Sequence, residues 1–244
     1  MLDTAFPDQG KKRVKKERRY VGRIPLIVAE PDHPRGIVVF FHGAGASKER
    51  TARLAAPFHA TGMLTIHPDA PYHGERQGGE DPLKARHLIV KAIEESMKEF
   101  PALAAWARKT YGPLPLGVVG ASMGGYVVHA LLASGFKFEA AAVFISSAET
   151  PAWLRGHLPP DHVDPIDRAA SYPPTPLLHV HGAKDRVVPI ASMERTIEAL
   201  KPAYAGEPGK LAKVIFPHLG HEVEPEMVAI AAAWFWTWLA SGLA

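Results

Sequence analysis

The sequence has no cysteine in its 244 residues. That excludes disulfides, thiolate metal sites and a cysteine nucleophile, and it fits any compartment. No apolar stretch of signal-peptide type opens the chain, so a cytoplasmic location is expected. There is no internal repeat and no low-complexity tract. Net charge is also small, the formal value being +3. It is unevenly spread: residues 1–25 hold eight Lys/Arg and three acids, a net of +5, which leaves −2 for the remainder. Apolar residues are plentiful at 47%, against 22% charged. The length and composition suit one large domain over 1–244 with an ample core, and residues 1–10 read as a flexible end.

The basic run Lys11–Arg19 has the composition of a nucleic-acid or anionic-membrane segment. It carries neither stacking aromatics nor base-reading side chains, so no nucleic-acid partner is expected. It reads as a solvated edge strand, where lysines discourage strand-to-strand aggregation. With Tyr20–Val28 it makes a first hairpin. The continuous apolar run Gly36–Phe41 reads as a strand covered on both faces, Pro115–Val119 as a short buried strand, and Gly62–His67, Ala140–Ile145, Pro176–His181 and Leu211–Phe216 as further strands. Helical stretches fall between them, beginning at Ser47, after Gly124 and at Ala191. Asp81-Pro82 predicts the start of a long helix, with aspartate as cap and proline in the first turn, and Pro101 is expected to interrupt it. Met227–Ala244 has 18 residues and no charge. A bilayer span needs about 20 apolar residues and basic flanks, so a final helix packed on the sheet is the reading, with no membrane span. The alternation of β and α predicts a mostly parallel sheet with helices on both faces.

Gly120-Ala121-Ser122-Met123-Gly124 stands between a strand and a helix. A serine on such a turn takes strained backbone geometry that pushes its hydroxyl out at the C-terminal edge of the sheet. The flanking glycines are required because a side chain there would collide with neighbouring backbone. The alternative is a Gly-rich turn with an N-capping serine. A serine hydroxyl needs a base within hydrogen-bond reach, and the base needs an anion to hold its tautomer. His181-Gly182-Ala183-Lys184-Asp185 offers Asp185 just past a strand, with Asp161, Asp164 and Asp167 as rivals. Pro217-His218-Leu219-Gly220-His221 offers His221 as base, with His218 as rival; Gly220 leaves His221 the freer approach. The N–H of Met123, at a helix N-terminus, is one candidate oxyanion donor, and the N–H of Ala44 in His42-Gly43-Ala44-Gly45 is the second.

His179 and His181 share a strand face, and His218 and His221 are three apart, but no carboxylate cluster accompanies either pair. Structural roles are expected, with no metal and no cofactor. Residues 147–175 contain six prolines and read as a stiff insertion covering the site. Trp153 in that insertion, with Tyr72 and His73 in the 68–76 loop, is a candidate for the substrate pocket.

These pieces together resemble the α/β-hydrolase superfamily, and within it the single-domain esterases of the dienelactone-hydrolase-like branch. The resemblance runs from about residue 20 to the end. It rests on His42–Gly45, Asp69–Arg76, Gly120–Gly125, His181–Asp185 and Gly220-His221. It implies a twisted, mostly parallel sheet of about eight strands and a Ser122–His221–Asp185 triad. It also implies a small-molecule ester as substrate, cleaved through an acyl-enzyme. Dienelactone hydrolases proper use a cysteine, which this chain lacks. The same machinery would serve a thioesterase, a lactonase or a peptidase. A hydrolase-derived binding protein without turnover is a further alternative, and turnover of an ester by the purified protein separates it from the rest.

Overall fold

The computed structural model describes residues 14–240. The flexible end expected at residues 1–10, the first three residues of the basic run and the last four of the final helix lie outside them. Eight strands form one sheet in the order β1-β2-β4-β3-β5-β6-β7-β8. They are β1 (Val14–Val21), β2 (Ile24–Pro31), β3 (Gly36–Phe41), β4 (Met63–Pro68), β5 (Leu116–Ala121), β6 (Ala140–Phe144), β7 (Leu177–Gly182) and β8 (Leu211–Phe216). The first pairings, β1 with β2 and β2 with β4, are antiparallel; every pairing from β4 through β3 to β8 is parallel. The helices are α1 (Lys48–Leu54), α2 (Ala56–Ala60), α3 (Arg86–Tyr111), α4 (Met123–Ala133), α5 (Ile190–Leu200) and α6 (Pro225–Ala240).

Side chains alternate across a strand, and β3 shows what that does here. Ile37, Val39 and Phe41 enter a core shared with Phe100 and Leu103 of α3 and Val127 and Leu131 of α4. Val38 and Phe40 enter a second core with Phe58 of α2 and Val228 and Phe235 of α6. The middle of the sheet is therefore apolar on both faces, which is why a central strand such as β3 reads as an unbroken apolar run. Among the described residues no helix is long and apolar enough to cross a membrane.

The first hairpin turns at Gly22, whose φ is +59°, and β1 is the sheet's edge. Its charges are solvated and locally paired: Arg18 reaches Glu49 and Glu75 at 3.3 and 3.4 Å, and Arg19 and Lys15 lie on Glu17.

Two expectations about the long helix fail. Pro101 does not interrupt it; α3 runs through from Arg86 to Tyr111. Pro101 is on the exposed side, where the carbonyl it frees can be solvated, while Phe100, Leu103 and Ala104 hold the other side in the core. Asp81-Pro82 does not begin the helix either. The Asp81 carboxylate accepts the N–H of Leu83 at 3.0 Å and its carbonyl accepts those of Lys84 and Ala85. That closes a separate turn, and α3 starts at Arg86.

Two buried polar arrangements carry consequences for stability. Lys48, only 1% exposed, places Nζ 2.6 Å from Asp69 Oδ2. The same carboxylate accepts the backbone N–H of Lys48 at 2.8 Å and of Glu75 at 3.0 Å, so it fastens the start of α1 to the loop after β4. Removing one partner of such a pair strands the other charge. Lys48→Met should therefore cost about 3–5 kcal/mol in urea unfolding.

Seven of the thirteen histidines (His42, His59, His67, His73, His129, His179 and His181) are buried, and burial holds each below its ordinary pKa. His42 and His59 are lowered to about 4 and His129 to about 3. In the unfolded chain each binds a proton near pH 6.5, so below that pH the unfolded state takes up more protons than the folded one. Stability is complete above that value and falls as the pH drops, by up to about 1.4 kcal/mol per pH unit for each histidine. Against a total of roughly 5–15 kcal/mol, tryptophan fluorescence should report acid unfolding with a midpoint of about pH 4.5–5.5. His179→Leu should move that midpoint to lower pH.

Candidate active site

The site is assembled at the C-terminal ends of the parallel strands. Ser122 follows β5 in a turn with φ +52° and ψ −116°, and its N–H is held by the Phe144 carbonyl at 2.9 Å. The glycine requirement is steric. A Cβ on Gly120 would lie 2.1 Å from the Gly124 carbonyl oxygen, and one on Gly124 would lie 2.1 Å from that of Phe41.

Asp185 follows β7 and His221 follows β8. The two loops are joined by backbone hydrogen bonds from Ala183 to Phe216 and from Lys184 to Leu219, both 2.9 Å. This junction carries His221 back over Ser122. Asp185 Oδ1 accepts the N–H groups of Val187 and Val188 at 2.8 and 2.9 Å, and Oδ2 accepts His221 Nδ1–H at 2.8 Å. With its proton on Nδ1, His221 turns a lone pair at Nε2 toward Ser122 Oγ, which donates to it at 2.9 Å. Burial would raise the Asp185 carboxyl, but the bonds from His221, Val188 and Val187 outweigh it and hold the group below its ordinary value. Asp185 therefore stays ionised and holds the His221 ring with its Nδ1–H toward the carboxylate, an arrangement suited to taking the serine proton.

The rivals lie elsewhere. His218 is exposed, its ring beside Phe216 at 6.2 Å. Asp164 accepts the Thr150 N–H at 3.0 Å and the Tyr126 hydroxyl at 3.1 Å on Oδ1, and Arg155 at 3.2 Å on Oδ2. It ties the 147–175 segment to α4 and does not contact His221.

The N–H groups of Ala44 and Met123 have no hydrogen-bond partner among the described residues, and both residues border the cavity beside Ser122. The Ala44 peptide is oriented by His42. The Ala70 N–H donates to His42 Nε2 at 3.0 Å, so the His42 proton is on Nδ1, which donates to the Gly43 carbonyl at 2.8 Å. Burial, with pKa lowered to about 4, keeps this ring neutral. Because the peptide is trans, fixing the Gly43 carbonyl turns the Ala44 N–H the opposite way. Sequence reasoning noted His42 only as part of a glycine turn. Its position directly after an apolar strand was the available signal. Behind Asp185, His181 donates Nε2–H to the Val188 carbonyl at 2.9 Å, bracing the loop that holds the carboxylate. The four-residue spacing from His181 to Asp185 was its signal.

Trp153 and the neighbouring Leu154 line the cavity with Ser122. Tyr72 and His73 are not among the residues that line it. Tyr72 has a φ of +64° and donates its hydroxyl to Glu95 of α3, while its ring packs in the same apolar cluster as Trp153. His73 is buried against His42, ring centroids 5.4 Å apart, and donates to the Pro71 carbonyl at 2.8 Å. Among the described residues no group of three or more His, Cys, Asp or Glu could hold a metal ion.

The chain is similar to known proteins over most of its length. The chain is 28% identical over 244 residues to esterase YjfP of Escherichia coli, covering 90% of this chain and 97% of that one. It is 28% identical over 260 residues to a monoacylglycerol lipase of Mycolicibacterium smegmatis, covering 84% and 88%. The crystal structure of TT1662 from Thermus thermophilus superposes with a TM-score of 0.81 at 32% identity, over 93% of this chain and 98% of that one. Residues 32–159, more than half of the sequence, match the family described as Hydrolase_4, serine aminopeptidase S33. With a mostly parallel sheet of eight strands around them, those residues make the chain a member of the Hydrolase_4 family of α/β hydrolases, and so an enzyme of the hydrolase class.

Proposed function

We propose that the protein is a serine carboxylesterase that cleaves small esters through an acyl-enzyme on Ser122. The observation that carries this reading is the unbroken line of hydrogen bonds from Asp185 through His221 to Ser122, at 2.8 and 2.9 Å. Ser122 Oγ attacks the ester carbonyl as His221 Nε2 takes its proton, and the Asp185 carboxylate stabilises the imidazolium that forms. The carbonyl oxygen gathers negative charge and is met by the N–H groups of Met123 and Ala44. Donors fixed in advance cost no reorganisation when the charge appears. His221 then gives its proton to the departing alkoxide. Water, activated by the same imidazole, releases the acid and restores Ser122. Residues 147–175 act as the cover of the acyl site. The choice of ester over peptide is supported by YjfP and the monoacylglycerol lipase, relatives that align over most of the chain.

A fluorophosphonate should label Ser122, with the adduct mapped by mass spectrometry, and the protein should turn over p-nitrophenyl acetate. Failure of both would sink the reading. Ser122→Ala should lower kcat on the order of 10⁴–10⁶-fold, since the three groups act as a unit. Asp185→Asn should keep the fold but let His221 take the wrong tautomer, for a loss of about 10⁴-fold in kcat. A rate within tenfold of the parent would exclude Asp185 from that role.

A further inference from the structure

Ser122 stands at the junction of two hollows of different size. One is a cavity of about 70 Å³ between α3 and the 147–175 cover, walled by Ile89, Ile93, Trp153, Leu154 and Leu158. The other is an open groove of about 570 Å³ on the side of the 42–47 turn, bordered by Ser47, Arg50, Leu54, Gln77 and Glu222. Ala44 and Ser122 border both hollows; Met123 borders only the cavity, and His221 only the groove.

This asymmetry fixes which half of an ester goes where. The proton that leaves Ser122 rides on His221 Nε2 and must reach the alkoxide oxygen as the carbon–oxygen bond breaks. The donor has to lie within hydrogen-bond reach of that oxygen. The alcohol half must therefore lie on the His221 side, in the groove. With the carbonyl oxygen held at Met123 and Ala44, the remaining substituent on the carbonyl carbon, the acyl chain, is directed into the cavity.

The cavity is small. At about 10–15 Å³ for each water it holds roughly five waters, the space of a short acyl chain. Its cover is fastened to the body by the bonds on Asp164 and by the Arg86 guanidinium, which lies 5.5 Å over the Trp153 ring. Three polar residues on its wall, Tyr126, Thr150 and His162, are bonded to Asp164 or to one another.

Resting on the serine-esterase reading above, we infer that the substrates are short-chain acyl esters of large alcohols. The acyl group enters the cavity under Trp153 and the alcohol occupies the groove beside His221.

Two isomeric esters with their halves exchanged test this: 1-naphthylmethyl acetate and methyl 1-naphthylacetate. Each releases an alkyl alcohol, so their intrinsic reactivities are similar. The wild-type enzyme should prefer the acetate by about 10²-fold in kcat/KM, because only that isomer puts its large half in the groove. Trp153→Ala, which opens the cavity, should raise kcat/KM for methyl 1-naphthylacetate about tenfold, and Leu54→Trp, which fills the groove, should lower that for the acetate about tenfold. Equal rates on the two isomers, or a preference for methyl 1-naphthylacetate, would overturn the assignment. So would turnover of neither isomer by protein that still takes the fluorophosphonate on Ser122. Protein that takes no label at Ser122 fails the serine reading itself, which keeps the two failures apart.

Discussion

Everything at the site depends on how closely two stretches of backbone approach. Gly124, at the start of α4, lies so near the end of β3 that a single added carbon would sit 2.1 Å from the Phe41 carbonyl oxygen. That contact brings the elbow and the His42–Gly45 turn side by side. As a result the N–H of Met123 and the N–H of Ala44, from separate elements, border one cavity. It also holds Ser122 at φ +52°, a backbone state that a serine keeps only when its surroundings impose it. The two further loops, carrying Asp185 and His221, need only meet a serine whose position is already set.

The surrounding polar groups solve a second problem, that of fixing loops without leaving charge in the interior. Lys48 and Asp69 do it as a full ion pair, with two backbone N–H groups completing the carboxylate. His42 does it as a neutral ring, accepting from Ala70 on one nitrogen and donating to Gly43 with the other. Asp164 ties the cover to α4 in the same manner as Asp69 ties α1 to its loop, one carboxylate serving several donors. In each case the burial penalty is offset by hydrogen bonds made in more than one direction.

The sheet, the hairpin and the Ser122, Asp185 and His221 positions were legible in the sequence because each is a local signal: a short apolar run, then small residues, then one reactive side chain. What was not legible depends on distant partners. Pro101 looks like a break until Phe100 and Leu103 are seen packed in a core that carries the helix past it. Lys48 looks like a surface residue at a helix start until Asp69, from another strand end, encloses it. Tyr72 and His73 were placed in the pocket wall on the strength of their loop. Their side chains are bonded to Glu95 and to the Pro71 carbonyl and do not line it, and no spacing in the sequence announces either bond.

On the mechanism proposed above, the groove beside His221 has one further consequence, for the fate of the acyl-enzyme. In that mechanism it is where the alcohol leaves, and it is also the face from which a second nucleophile reaches the acyl carbon within range of the same imidazole. Water and alcohols therefore share one doorway, while the acyl group stays under the cover. Competition at that doorway is decided by what fits the groove and is indifferent to the size of the acyl chain. In a medium rich in a well-fitting alcohol, the same residues that hydrolyse an ester would exchange its alcohol for another, and synthesis would run on the machinery of cleavage.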